Sequence, residues 1–260
     1  MRMVGLTASM YVDTVCLVPD AILAHPRLAV IYDAFDGDRD DLRAYLDIVE
    51  EFGAHHVLDV GCGTGSLAVL LAQHGHTVTG LEPAEASLDV ARRKSGAESV
   101  SWILGQAIAL PPVGADLAVM TGNVAQVFLS DDEWSATLQA IRSALRADGG
   151  YLAFETRRPQ RRAWEEWAVD TAPHIRDVPG VGSVEQRREV TSVSFPLVSF
   201  RYTYRFASDG LVVTSDSTLR FRSQEEIEQT LAATGFNLVA VREAPDRPGR
   251  EFVFVARRTV

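Results

Sequence analysis

Gly61, Gly63 and Gly65 stand at alternate positions in the run Val57-Leu58-Asp59-Val60-Gly61-Cys62-Gly63-Thr64-Gly65. Glycine has no side chain and tolerates positive φ, so a loop built this way, entered from an apolar segment and left through a helix, brings its backbone against a ligand. A nucleoside is the ligand such a loop implies. Glu82 lies 21 residues beyond Gly61, where a carboxylate accepts hydrogen bonds from both hydroxyls of a ribose. The dinucleotide fingerprint G-x-G-x-x-G is not met, because the third glycine comes one residue early and Ser66 follows it. That spacing disfavours a nicotinamide-dependent oxidoreductase, although Glu82 alone fits either kind of nucleoside.

The elements that must carry these residues follow from hydrophobic spacing. Leu42, Tyr45, Leu46, Val49 and Phe52 share one helical face and Gly53 stops it, predicting a helix near 40–52. His56 to Val60 reads as a buried strand, and Leu67, Leu70 and Leu71 resume helical spacing as far as Gly75. The alternation repeats with strand 77–81, helix 84–94, and strands 100–104 and 116–121. Ser130 with Glu133 forms a capping box ahead of Trp134, Leu138, Ile141 and Leu145, and Asp148-Gly149-Gly150 closes that helix before strand 151–155. Five strands alternating with helices argue an α/β doubly wound parallel sheet. From Arg157 the pattern changes: a helical, tryptophan-containing stretch to about Val169 gives way to β-branched segments near 186–195, 199–207 and 211–222, with Asp209-Gly210 as a hairpin turn. Residues 157–222 therefore read as a β-rich cap inserted after the fifth strand of a single domain spanning 1–260. A second capping box, Ser223 with Glu226, opens a last helix, and strands 238–242 and 252–256 finish the chain.

Composition narrows the function classes. With 47% hydrophobic and 23% charged residues over 260 positions, the chain resembles an ordinary globular one and neither a disordered nor a fibrous one. Its net charge of −10 opposes a polyphosphate backbone, so nucleic acid is not an expected partner. No apolar run approaches the roughly 18 residues a membrane span needs, and Asp13, Pro19 and Asp20 interrupt the first stretch. Two cysteines, Cys16 and Cys62, make no disulfide framework and have no partners at metal-ligand spacing, so no metal and a cytoplasmic location are expected.

The run from Val57 to Gly65, followed by Gly80-Leu81-Glu82-Pro83 and by Leu88, Ala91 and Arg92, resembles the S-adenosylmethionine site of class I methyltransferases. The resemblance covers residues 28–156 and, more loosely, the final helix and strand pair. It implies a Rossmann-like sheet of seven strands, five parallel plus a closing antiparallel pair, and transfer of a methyl group from S-adenosylmethionine to a small-molecule O or N acceptor, with S-adenosylhomocysteine as product. It further implies that Gly61, Cys62, Gly63 and Gly65 run beneath the methionine portion, that Asp59 helps hold its amino group, and that Glu82, with Pro83 next to it, takes the ribose. Gln106 and Ala107 align with the segment at the adenine edge, where the family commonly has Asp in place of Gln106. Thr121 and Asn123 line the methionine end, and Tyr32, ahead of the first long helix, belongs to the segment that closes over the cofactor.

The acceptor side is less defined. A hydroxyl or protonated amine needs a group to take its proton. His55, His56, His74 and His76 flank the amino ends of the first two strands, away from the chemistry, which leaves His25 and His174. His174, the one histidine of the cap, is the candidate base by elimination. Arg157, Arg158, Arg161 and Arg162, beside Trp164 and Trp167, form a basic cluster suited to an acidic or aromatic acceptor. A protein that binds S-adenosylmethionine without catalysis remains an alternative at this stage.

Overall fold

The computed structural model describes residues 18–37, 39 and 41–260. Three helices come first: α1 (Ala21–Ala24), α2 (Pro26–Phe35) and α3 (Asp41–Glu51). Strand and helix then alternate through β1 (His56–Val60), α4 (Ser66–Gln73), β2 (Thr77–Glu82), α5 (Glu85–Ala91), β3 (Val100–Leu104), β4 (Leu117–Met120), α6 (Asp131–Ala144) and β5 (Tyr151–Arg157). After α7 (Ala163–Val169) come β6 (His174–Val178), β7 (Gly182–Ser194), β8 (Leu197–Phe206) and β9 (Val212–Arg220). Helix α8 (Gln224–Ala233) and strands β10 (Phe236–Glu243) and β11 (Glu251–Arg258) complete the chain.

Seven strands form one sheet in the order β10-β11-β5-β4-β1-β2-β3. The five from β3 to β5 are parallel, while β11 runs antiparallel to both β5 and β10. The strand order reverses between β1 and β4, and ligands bind at the carboxyl ends of strands beside such a switch. Near-continuous apolar strands demand cover on both faces, and two cores supply it. On one face Leu58, Met120, Trp134, Leu138, Ile141 and Phe154 pack together, and on the other Tyr45, Val49, Val57, Leu67, Leu71 and Val119 do so. Each fully buried side chain of this kind contributes roughly 1.5–3 kcal/mol. Both predicted capping boxes are present, Ser130 with Glu133 and Ser223 with Glu226.

The segment after β5 departs from the sequence reading in one respect. Its sheet has four antiparallel strands, β6-β7-β8-β9, because residues 174–178, to which the sequence pattern assigned no strand, pair with β7 at the edge. Helix α5 also ends at Ala91, three residues short of the expected Lys94.

The N-terminal helices bridge the two sheets. The Ile22 N–H donates to Ser215 Oγ of β9 at 2.8 Å, and Ser87 Oγ of α5 donates to the Leu23 carbonyl at 2.9 Å. Leu28 and Ile31 of α2 pack against Val184, Tyr204 and Phe206 of the cap sheet. The cap is therefore fixed over the carboxyl ends of the parallel strands.

Candidate active site

The glycine loop is shaped by left-handed backbone at all three glycines and, at Gly61 and Gly65, by contacts that leave no room for a side chain. Gly61, Gly63 and Gly65 have φ of 72°, 54° and 80°. The Gly61 and Cys62 N–H groups both donate to the Leu81 carbonyl, at 2.8 and 3.0 Å, tying the loop to the end of β2. Glu82 ends that strand almost fully buried and accepts from the Gly63 N–H at 3.0 Å and the Ala84 N–H at 2.9 Å. Burial raises its pKa, and the two backbone donors oppose that shift.

The loop opens onto a cleft of two adjoining lobes. The larger, about 540 Å³, is lined by Glu82, Pro83, Gln106, Ala107 and Ile108 together with α6 and the cap. The smaller, about 300 Å³, is lined by Tyr32, Arg39, Cys62, Gly63, Thr121 and Asn123, with Arg157, Tyr202 and Tyr204 on its cap side. Gly61 and Val124 line both lobes, so the lobes meet where β1 and β4 end. Of the residues the resemblance assigned to the cofactor, ten line this cleft: Tyr32, Gly61, Cys62, Gly63, Glu82, Pro83, Gln106, Ala107, Thr121 and Asn123. Gly65 lines neither lobe, and a Cβ there would lie 2.6 Å from Trp102 Cη2 and 2.8 Å from Ala91 Cβ, so helix packing by itself calls for glycine at this position.

Asp59 lies beneath the loop, and its environment is its strongest functional signal. It is buried at 1% exposure, and neither carboxylate oxygen has a hydrogen-bond partner among the described residues. Burial pushes its pKa up to about 7, with Arg39 lowering and Glu82 raising it. Nearby, Asn123 holds a left-handed backbone at φ 62°. Its N–H and that of Gly122 donate to Glu155 Oε1 at 3.2 and 2.7 Å, and its Nδ2 donates to Glu251 Oε1 at 3.2 Å. Asn123 Oδ1 has no hydrogen-bond partner among the described residues. Buried acceptors in this state are costly until a donor reaches them. An α-amino acid end supplies three N–H donors and a positive charge, a nucleoside end supplies two ribose hydroxyls for Glu82, and Glu82 and Asn123 line one continuous cleft with Asp59 buried beneath its glycine loop. The residues present therefore fit S-adenosylmethionine.

A pH dependence follows. A carboxyl whose folded pKa is raised gives its full stability below its unfolded value near 4, and that contribution is lost as pH rises through the folded value. For Asp59 the window is about pH 4 to 7. Glu155 is raised to about 7 as well, by burial first and then by Glu251 and Asp41, so it adds to the same slope. Thermal melts of the ligand-free protein are expected to fall over this window. Asp59→Asn should flatten the slope and add on the order of 2 kcal/mol at pH 8. A variant whose melts track the native pH profile would contradict the burial of Asp59 as a charge.

His174 stands apart from the cleft. It opens the edge strand β6 with a half-exposed ring, 3.5 Å from Asp170, and lines neither lobe. A histidine that is unique in its segment is not thereby near the chemistry. The other histidines set aside by position do lie at the amino side of the sheet: His56 Nε2 meets Thr79 Oγ1 at 3.0 Å, and His76 Nδ1 meets the Ala54 carbonyl at 3.0 Å. Arg157 does reach the cleft, with Nη1 donating to Gln126 Oε1 at 3.0 Å and its guanidinium 5.2 Å from the Trp167 ring. Arg158, by contrast, pairs with Glu243 and stacks on Phe252 away from it. Cys16 lies outside the described residues. Asp20, Leu23, Arg39, Phe200 and Ser217 also line the cleft and were not singled out from the sequence. No spacing marks them, because the tertiary placement of α1 and the cap brings them there.

Residues 57–149 match the family model described as a methyltransferase domain. An uncharacterized methyltransferase of Oceanobacillus iheyensis is 28% identical over 116 residues, 43% of this chain and 54% of that one. The chain spans a fifth or less of the length of the first curated relatives it matches. Among solved structures, the sugar N-methyltransferase KedS8 from Streptoalloteichus aligns over 100% of both chains at 19% identity with a TM-score of 0.73. The amino pentose methyltransferase CalS10 from Micromonospora echinaspora aligns over 88% of this chain and 97% of its own at 24% identity, with a TM-score of 0.69. Residues 57–149 thus match a methyltransferase domain model, and the chain has the fold of the class I S-adenosylmethionine-dependent methyltransferases.

Proposed function

We propose that the chain transfers a methyl group from S-adenosylmethionine to an oxygen or nitrogen of a small-molecule acceptor. The observation that carries this reading is one continuous cleft with the buried Glu82 carboxylate in one lobe and Asn123 in the other, and with Asp59, whose oxygens have no hydrogen-bond partner among the described residues, buried beneath the glycine loop. Glu82 would hold the ribose, Pro83, Gln106, Ala107 and Ile108 the adenine, and Asp59, Thr121, Asn123 and Tyr32 the methionine end. The bound sulfonium supplies an electrophilic methyl, so the protein's task is alignment, which contributes on the order of 7–11 kcal/mol. Phe200, Tyr202, Tyr204 and Arg157 would form the acceptor's side, which makes the segment 157–222 the part that selects it. A cleft enclosed by two sheets suits a small molecule, and the charge of −10 argues against nucleic acid. No helix among the described residues is long and apolar enough to cross a membrane, and we take the chain to act in the cytoplasm.

S-adenosylhomocysteine at 100 times its dissociation constant should add about 2.7 kcal/mol to the unfolding free energy, whereas NAD should add nothing. A thermal melt that rises with NAD and not with S-adenosylhomocysteine would overturn the assignment.

A further inference from the structure

The two lobes meet at a neck, and the chemistry at the neck is restricted. Seven residues line both lobes: Asp20, Leu23, Gly61, Val124, Val127, Phe200 and Ser217. If the nucleoside occupies the larger lobe and the amino acid end the smaller, the sulfur between them lies at this neck, because the chain joining ribose to methionine must pass Gly61. Of the seven residues, Asp20 alone has a titratable side chain. It precedes α1, which β9 holds in place through the 2.8 Å bond from the Ile22 N–H to Ser215. Its carboxylate is hydrogen-bonded by Ser217 of the cap.

The other carboxylates around the cleft are committed elsewhere. Asp36 and Asp41 are paired with Arg39 at 2.7 and 2.8 Å. Asp216 is bridged by Arg201 at 2.6 and 2.9 Å. Glu82 is held by the Gly63 and Ala84 N–H groups. Asp20 has no cationic partner among the described residues. Burial raises its pKa, Ser217 opposes the shift, and Asp216 adds to it, so it is a stronger proton acceptor than an ordinary carboxylate.

We propose that Asp20 is the proton acceptor of methyl transfer, an inference that rests on the cofactor cleft described above. As the acceptor's heteroatom forms its bond to the methyl carbon, the carbon–sulfur bond breaks and its electron pair stays on sulfur. The proton on the heteroatom goes to an Asp20 carboxylate oxygen. A neutral acceptor, a sulfonium and a carboxylate give a neutral methylated product, a thioether and a carboxylic acid, so charge and atoms balance. Ser217, on the cap, orients the carboxylate and couples acceptor binding to the proton transfer.

The test needs no acceptor. Sinefungin is the analogue in which an amine-bearing carbon replaces the sulfonium sulfur and its methyl, so it holds an ammonium where the methyl would be. Titration calorimetry should give wild-type protein a preference for sinefungin over S-adenosylhomocysteine of about tenfold, from a charge-assisted bond to Asp20. Asp20→Asn should bring that ratio to within about threefold of unity, and Asp20→Glu should recover part of it. S-adenosylhomocysteine binding by each variant reports that it is folded. Equal affinities in the wild type, or a preference kept in Asp20→Asn, would overturn the assignment of Asp20 alone. A wild type that binds neither ligand would overturn the cleft reading and this inference with it.

Discussion

Glu82→Ala is expected to weaken S-adenosylhomocysteine binding by roughly 100-fold, since each hydrogen bond to a charged acceptor is worth about 1.5–3 kcal/mol and the carboxylate can take two from a ribose. The substitution has a second cost. It strips the acceptor from the Gly63 and Ala84 N–H groups, which fix the loop relative to β2. Gln106→Ala should cost much less, because a neutral amide lacks charge assistance. Titration calorimetry separates the two. Equal losses would mean that the ribose does not sit on Glu82, and a larger loss at Gln106 would exchange the assigned ends of the large lobe.

Gly65→Ala is expected to destabilise the fold by about 3 kcal/mol, through a left-handed backbone that disfavours a Cβ and through overpacking. The new methyl would meet Trp102 at 2.6 Å and Ala91 at 2.8 Å at a φ of 80°. Neither neighbour can yield freely: Trp102 Nε1 donates to the Ala97 carbonyl at 3.0 Å, and Ala91 ends α5 against β2 and β3. For a chain of this size the melting temperature should drop by about 6–12 °C. A melt within 2 °C of the native one would show that α4 and α5 can part without cost, and the account of the loop would need revision.

Most of the sheet was legible in the sequence because its strands are buried on both faces and its helices have one apolar face. The register of the seven strands needs only those patterns and the switch between β1 and β4. Glu82 and the glycine loop were legible for a different reason, since close backbone approach restricts residue type at fixed spacing. The edge strand β6 was not, because an exposed strand paired on one side has little alternation to read: four of its five residues are exposed. The packing demand at Gly65 was not legible, as φ and steric demand look alike in a sequence. His174 was chosen by elimination among histidines, whereas the half-buried carboxylate at the neck, Asp20, stands 39 residues before Asp59 with no periodic signal of its own. Asp59 could be named from the motif, but only the fold isolates both of its oxygens.

A crystal structure with S-adenosylhomocysteine bound is the most direct measurement of whether this cleft is a methyl-transfer site. The account predicts both ribose hydroxyls on the Glu82 carboxylate, the amino group against Asp59 and Asn123 Oδ1, the adenine between Pro83 and Ile108, and the sulfur at the neck beside Gly61 and Asp20. A ligand bound with its nucleoside in the smaller lobe, or one that leaves Glu82 on its two backbone N–H groups and Asp59 unpartnered, would contradict it.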